Sequence, residues 1–193
     1  MNGDALLRRG LLADRVVLAA VAAEGPGAAA AVACEGLGAR LIRLSRADAS
    51  DEDAAQAAAV AALDEAGRID TLVVDLGLET TGEDPDDALL AALAETWNVV
   101  RAAANAALIP QSSGKIVLIG PRPSAGQNAE ALRAGLENMA RTLSIEWSRH
   151  QVLTTMIAPG AATTDDEVAS LVMFLASPAG DYYSGCRFEL GSV

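Results

Sequence analysis

The sequence predicts a doubly wound α/β fold: one parallel sheet of about six strands with helices covering both faces. Three observations carry that expectation. Short runs rich in Val, Ile and Leu recur along the chain, each followed by a longer stretch of helical character. One of them, Thr71-Leu72-Val73-Val74-Asp75, reads as a buried strand, as a parallel sheet covered on both faces requires. The connections between successive runs are long enough to hold a helix, which parallel pairing requires. The crossovers are expected to be right-handed.

Taken in order, residues 15–20 (Arg-Val-Val-Leu-Ala-Ala) read as the first strand, and Gly25-Pro26-Gly27 turns the chain into a helix through about Glu35. Residues 41–45 form a second strand, and Ser-Asp-Glu-Asp opens a helix over 50–66, since acids and a hydroxyl favour a helix N-terminus. Residues 71–75 are a buried strand, and 86–108 a long helix with Pro85 just ahead of its start and Pro110 just past its end. Strands at 115–119 and 152–157 flank a helix over 129–149, and the second of them is ended by Pro159-Gly160. A helix over 165–176 stops near Pro178, and 187–190 is the last strand.

The length of 193 residues suits a single domain, 1–193. A net charge of −12, with Lys115 the one lysine, argues against nucleic-acid or anionic-membrane partners, which need clustered basic side chains. No apolar run is long and uncharged enough to span a bilayer. Met1-Asn2-Gly3-Asp4 lacks the basic and apolar regions of a signal peptide. Cys34 and Cys186 stand far apart in no metal or redox spacing, and both are expected to be reduced. A cytoplasmic protein is the expectation.

Several segments, in this order, resemble the short-chain dehydrogenases/reductases. They are Gly67-Arg68-Ile69-Asp70-Thr71-Leu72-Val73, Trp97-Asn98-Val99, Gly114-Lys115-Ile116-Val117 and Ala134-Gly135-Leu136-Glu137-Asn138-Met139. Ala158-Pro159-Gly160, Glu167-Val168-Ala169 and Phe174-Leu175-Ala176-Ser177 continue the series. The resemblance runs from about Asp14 to Gly191 and implies a Rossmann-like sheet.

The departures from that family carry the functional expectation. Its glycine-rich turn lets backbone amides and a helix N-terminus approach the cofactor phosphates. Here the turn reads Ala20-Val21-Ala22-Ala23-Glu24-Gly25-Pro26-Gly27. Val21 adds a branched side chain, Glu24 adds a negative charge, and Pro26 removes an amide donor. Only Gly25 and Gly27 keep the pattern. Ser45-Arg46 stands where the family reads the adenosine ribose, and a basic group there hints at NADP rather than NAD. Asp48 and the next helix follow at once, so the chain looks one βα unit shorter than the family pattern. The family's Asn-Asn-Ala-Gly becomes Val74-Asp75-Leu76-Gly77, in which the glycine alone survives.

By the same resemblance, catalysis needs Asn, Ser, Tyr and Lys. Asn98 matches the asparagine, the serine falls on Gly120-Pro121, and the Tyr/Lys pair falls on Ala129 and Arg133. An alanine transfers no proton, and an arginine stays charged with no tyrosine beside it to tune. No catalytic set is intact. Ser124, Gln127 and Asn128 sit in the corresponding loop and are candidates for a residual pocket. Lys115 begins its strand, at the end opposite the one where such sheets bind ligands. Only Ala161-Ala162-Thr163-Thr164 follows Pro159-Gly160, where the family carries a longer substrate-covering segment, so a lid is expected to be missing.

Other chemistries are weaker. His150 reads as a cap at a helix C-terminus. The acids Glu79, Glu83, Asp84, Asp86 and Asp87 read as a solvated loop and helix start rather than a metal site, and Asp165-Asp166-Glu167 likewise. Tyr182 and Tyr183 read as packing or interface residues. Leu132, Leu136, Met139, Leu143 and Trp147 make an apolar stripe, with small residues Ala131, Ala134, Gly135 and Asn138 opposite. The helix over 86–108 is apolar nearly all round, which points to assembly. The expectation is a non-catalytic protein with no cofactor (NADP or NAD if any binding survives). It would work as a homo-oligomer or as a hetero-oligomer with an active paralogue. A ligand- or nucleotide-sensing module built on the cleft around Asn98, Ser124 and Arg133, and an atypical NAD(P)-dependent oxidoreductase, stay open as alternatives.

Overall fold

The computed structural model describes residues 8–77 and 84–191. The chain runs β1 (Val16–Val21), α1 (Pro26–Gly36), β2 (Arg40–Leu44), α2 (Glu52–Ala66) and β3 (Thr71–Asp75). It continues α3 (Pro85–Ala103), α4 (Ile109–Gln111), β4 (Gly114–Ile119), α5 (Ala129–Glu146), β5 (Val152–Pro159), α6 (Asp165–Ala176) and β6 (Arg187–Leu190). Six strands form one sheet in the order β2-β1-β3-β4-β5-β6, and every pairing is parallel. This is the Rossmann-like α/β arrangement that the sequence predicts.

Neighbouring residues along each strand serve opposite faces. Leu18, Leu72, Ile116 and Met156 join the core under α2, α3 and α5. Val17, Val73, Val117 and Ile157 join the second core, under α1 and α6. Both faces are covered, so the inner strands β1, β3, β4 and β5 read as largely apolar runs, whereas the edge strands β2 and β6 carry Arg40, Arg43, Arg187 and Glu189. The strand order reverses between β1 and β3, and their carboxyl ends form the switch-point crevice where sheets of this kind bind ligands.

Helix starts follow local chemistry. The Asp51 carboxylate accepts from Ala54 N–H at the head of α2, so that helix begins at Glu52 rather than at residue 50. Thr164 and Glu167 form a reciprocal capping box on α6. The long helix starts with Pro85 itself as its first residue, and at Ala104–Leu108 it widens into a π-helical turn. Pro110 explains the widening. It has no N–H for the carbonyl four residues earlier, and its ring would collide with that carbonyl in an α-helix. α5 closes at Glu146, three residues short of the expected end, and a 3₁₀ turn Ser148–His150 follows. β1 runs one residue further than expected because Val21 pairs with Asp75 and Ala22 N–H donates to the Asp75 carbonyl at 3.1 Å.

On α3, Leu90 and Trp97 lie on one outward ridge, 65% and 37% exposed. One side-chain expectation needs correction. Gly135 does not belong to the open side of α5: a Cβ there would lie 2.7 Å from Leu93 Cδ2, so that glycine is the contact point with α3. Leu132, Leu136 and Leu143 are buried, and Met139 and Trp147 pack against them. Among the described residues, no helix is long and apolar enough to cross a membrane.

Candidate functional site: the crevice at the carboxyl edge

At the switch-point crevice the chain's own Asp75 reaches the start of α1. α1 begins at Pro26 behind Gly25, which takes φ 100° and supplies no side-chain cap, and the first turn of α1 contains no acid. The cap comes from β3 instead: Gly27 N–H donates to Asp75 Oδ2 at 2.8 Å. A Cβ on Gly27 would lie 2.5 Å from Asp75 Cβ and 2.9 Å from Val21 Cγ1, so only glycine lets helix and strand approach this closely. Burial pushes the Asp75 carboxyl up to about 6, against the Gly27 hydrogen bond and the Arg122 charge that lower it, while Asp165 adds to the rise. Asp75 is the site residue that sequence reasoning missed. The available signal was an acid replacing an asparagine just where a helix starts with Gly-Pro and no cap of its own.

The other residues matched to cofactor binding have structural partners. Arg46 donates to the Leu76 carbonyl at 2.7 Å and pairs with Glu95 at 2.7 Å. Asp48 accepts from Ser45 N–H and Oγ, each at 2.7 Å, in a capping box on the turn Arg46–Ala49. Gly77 follows β3 with φ 61°. A cavity of about 380 Å³ lies beside this edge, lined by Val21, Ala23, Val32, Arg43, Leu44 and Ser45.

The positions matched to catalysis are packed. Gly120 is buried, and a Cβ there would meet Met156 Cε at 2.5 Å and Arg133 Cγ at 3.4 Å, so a serine requires the fully buried Met156 to move. Ala129 is 1% exposed. Arg133 is buried, and its Nη1 donates to the carbonyls of Pro121 (2.9 Å) and Pro159 (2.7 Å). Its Nε lies 3.3 Å from Glu130. The guanidinium therefore bridges the segments that follow β4 and end β5. Asn98 is buried, and its Nδ2 donates to the Ala49 carbonyl at 3.1 Å, which ties α3 to the turn ahead of α2.

The expected residual pocket is not assembled around one point. Ser124 and Gln127 are exposed on their loop. Asn128 turns to α3, donating to the Pro85 carbonyl at 2.8 Å and to Asp86 at 3.0 Å. The short segment after β5 is held down. Thr163 Oγ1 accepts from Gly160 N–H and donates to the Leu190 carbonyl, each at 2.9 Å. Arg122 adds two hydrogen bonds to the Thr163 carbonyl and an ion pair to Asp165 at 2.5 Å.

Lys115 sits at the amino edge, as its place in the strand implies, paired with Asp181 at 2.6 Å. His150 accepts from Arg149 Nε at 3.0 Å in the turn after α5. Tyr183 packs between Phe174 and Phe188, whereas Tyr182 is 88% exposed. Glu79 and Glu83 lie outside the described residues. Asp84 caps α3, and Asp86 and Asp87 fill its first turn. Among the described residues, no group of three or more His, Cys, Asp or Glu is placed to hold a metal ion.

The family model for the short chain dehydrogenases matches residues 3–170 of this chain. The chain belongs to the short chain dehydrogenase family. Among solved structures it is similar to a citronellol catabolism dehydrogenase (AtuB) of Pseudomonas aeruginosa PAO1, with a TM-score of 0.83 at 22% identity over 96% of each chain. That likeness is one of fold. Both chains are covered almost whole, so this pairing lends no support to a missing βα unit. No curated protein matches the chain in sequence.

Proposed function

We propose that this member of the family is non-catalytic and acts through protein contacts, as a subunit of a homo-oligomer or of a hetero-oligomer with an active paralogue. One observation carries the reading: the buried Arg133 guanidinium is bonded to the Pro121 and Pro159 carbonyls, against a glycine and an alanine where the family has a serine and a tyrosine. A buried cation held by two carbonyls is a strut, and Ala129, at the family's tyrosine position, supplies no proton. The outward Leu90 and Trp97 on α3 and Ile145 on α5 support assembly on that side of the sheet.

The residues at the switch point do not fit a dinucleotide. Its pyrophosphate needs free amides at a helix N-terminus. Here Pro26 has none, and the Gly27 amide already holds the Asp75 carboxylate, whose charge repels phosphate. We therefore propose no NAD or NADP binding.

The test combines two measurements on the purified chain. Thermal shift with each of NAD, NADH, NADP and NADPH is expected to show no stabilisation, since a bound ligand raises stability by mass action. Incubation with a panel of carbonyls and alcohols is expected to show no change in NAD(P)H absorbance. Turnover that disappears in Arg133→Ala or Asn98→Ala would overturn the reading in favour of an atypical oxidoreductase. For the assembly half, light scattering of the chain alone and co-expressed with an intact paralogue is the measurement. A monomer in both preparations would sink it.

A further inference from the structure

The sheet ends at β2, and that edge is open. Arg40 N–H donates to the Arg15 carbonyl at 2.8 Å, so alternate residues of β2 turn their amide groups to β1. Leu41 and Arg43 turn theirs outward. The outward amides on either side of them are closed by the chain itself. Ala39 N–H donates to the Cys34 carbonyl at 3.1 Å, and Ser45 N–H donates to Asp48 Oδ2 at 2.7 Å. Among the described residues, the N–H and C=O groups of Leu41 and Arg43 have no protein partner. The side chains here are half-covered as well. Leu41 packs on the core under α1 and Ile42 on the core under α2 and α3, each leaving part of its surface open. Val32, 58% exposed, and Arg43 line the cavity of about 380 Å³ beside this strand. The local charge is opposite to that of the chain. Arg40, Arg43 and Arg46 are the charged residues of segment 36–47, in a chain of net charge −12. Arg40 is answered by Glu65 and Arg46 by Glu95, but Arg43 is exposed and, among the described residues, pairs with no carboxylate. At the other edge, β6, Arg187 is answered by both Glu137 and Glu189.

We propose that β2 takes an added strand from another polypeptide, an extended segment with apolar residues beside Leu41 and Ile42 and an acidic residue beside Arg43. The backbone selects the shape of the occupant. Outward amide groups two residues apart are matched by a second extended chain, and not by a helix, whose amides are bonded internally. β2 has 5 residues and is about 17 Å long, which suits a segment of roughly five to seven residues. The charge selects its composition. A cationic edge repels strands of like charge and admits acidic ones. A second copy of this chain would set its own Arg40 and Arg43 against these, with a charge of −12 on each chain behind them. The inference goes beyond assembly through α3 and α5 and does not depend on it, because it uses the rim of the sheet rather than a helix on its face.

The probe is a fluorescent peptide of about eight residues in which Val alternates with Glu and Thr, and its counterpart has Lys in place of Glu. Two further forms of the Glu peptide are N-methylated at odd or at even residues, which blocks the amides of one strand edge at a time. Anisotropy is measured on the intact chain and on two variants, Arg43→Glu and Arg149→Glu. The second makes the same charge change in the turn before β5. Both positions are exposed, so the variants are expected to melt close to the parent. The Glu peptide is expected to bind the intact chain and the Lys peptide not, the reverse of what the net charge alone would produce. Arg43→Glu should weaken binding of the Glu peptide at least about tenfold, and Arg149→Glu by less than about twofold. One methylated form should keep its binding and the other lose it.

The proposal is overturned by no binding of the Glu peptide, by a Lys peptide bound as tightly, by equal effects of the two arginine variants, or by methylated forms that do not differ. A parent dimer that Arg43→Glu converts to monomer would make a second copy the occupant and overturn it too. Detection of dehydrogenase turnover would refute the non-catalytic reading and leave this result standing.

Discussion

Asp75→Asn is the sharpest perturbation available, because it keeps the shape of the side chain and removes its charge. The Asp75 carboxyl is pushed from its ordinary 3.8 up to about 6, chiefly by burial. The folded state therefore binds this proton more tightly than the unfolded chain. The associated stability is fully present below about pH 4, falls between about pH 4 and 6, and is absent above that window. A gap of that size corresponds to about 3 kcal/mol at neutral pH. The asparagine still accepts from Gly27 N–H but gives up the attraction to Arg122, so the net gain for Asp75→Asn is expected to be about 1–2 kcal/mol. In a chain of this size that raises Tm by about 3–6 °C. Melting curves of both proteins across pH 4 to 8 are the assay, read as the difference between them so that other carboxylates cancel. The difference should be near zero at pH 4 and reach its full value by pH 7. A variant less stable than the parent at pH 8, or a difference flat with pH, would refute the reasoning that burial governs this group.

Other substitutions separate structural ties from catalytic ones. Arg133→Ala strands the Pro121 and Pro159 carbonyls in the interior and should cost about 2–4 kcal/mol in urea unfolding. Asn98→Ala loses the bond to the Ala49 carbonyl and should cost about 1–2 kcal/mol by the same measurement. Gly120→Ser should destabilise by about 1–2 kcal/mol, and adding Met156→Ala should show strong non-additivity, because the two side chains compete for one space. A double-mutant cycle within about 0.3 kcal/mol of additive would contradict that contact. Leu90→Glu should reduce the mass found by light scattering if assembly uses α3, and leave Tm nearly unchanged because that side chain is 65% exposed.

The fold was legible because it depends on residue types repeated over many positions. Runs such as Thr71–Asp75 announce strands buried twice, and Asp165–Ala176 carries its start and stop in its own sequence. The boundaries that shifted did so for reasons outside the local pattern. Val21 joined β1 because β3 offered it a pairing partner, and the π-turn at Ala104–Leu108 answers a proline several residues later. At the site, the substitutions at Gly120, Ala129 and Arg133 were readable from the family pattern. What fills the space was not. The Met156 methyl over Gly120, the bonds of Arg133 and the Asp75 cap on a helix 48 residues away are long-range meetings that no sequence spacing encodes. Asn98 shows the same limit: its identity matches the family while its hydrogen bond serves the turn before α2.

The pairing of Lys115 has a practical consequence for chemistry done on this protein. It is the chain's one lysine, its side chain is 14% exposed, and its Nζ is enclosed by Asp181 and the Ser177 carbonyl. Amine-selective labels should therefore react poorly with this side chain in the folded state. The same scarcity makes lysine-to-lysine cross-linkers nearly silent on this chain. Carboxylate-directed reagents, with 26 acidic side chains to choose from, are the means by which its neighbours can be captured.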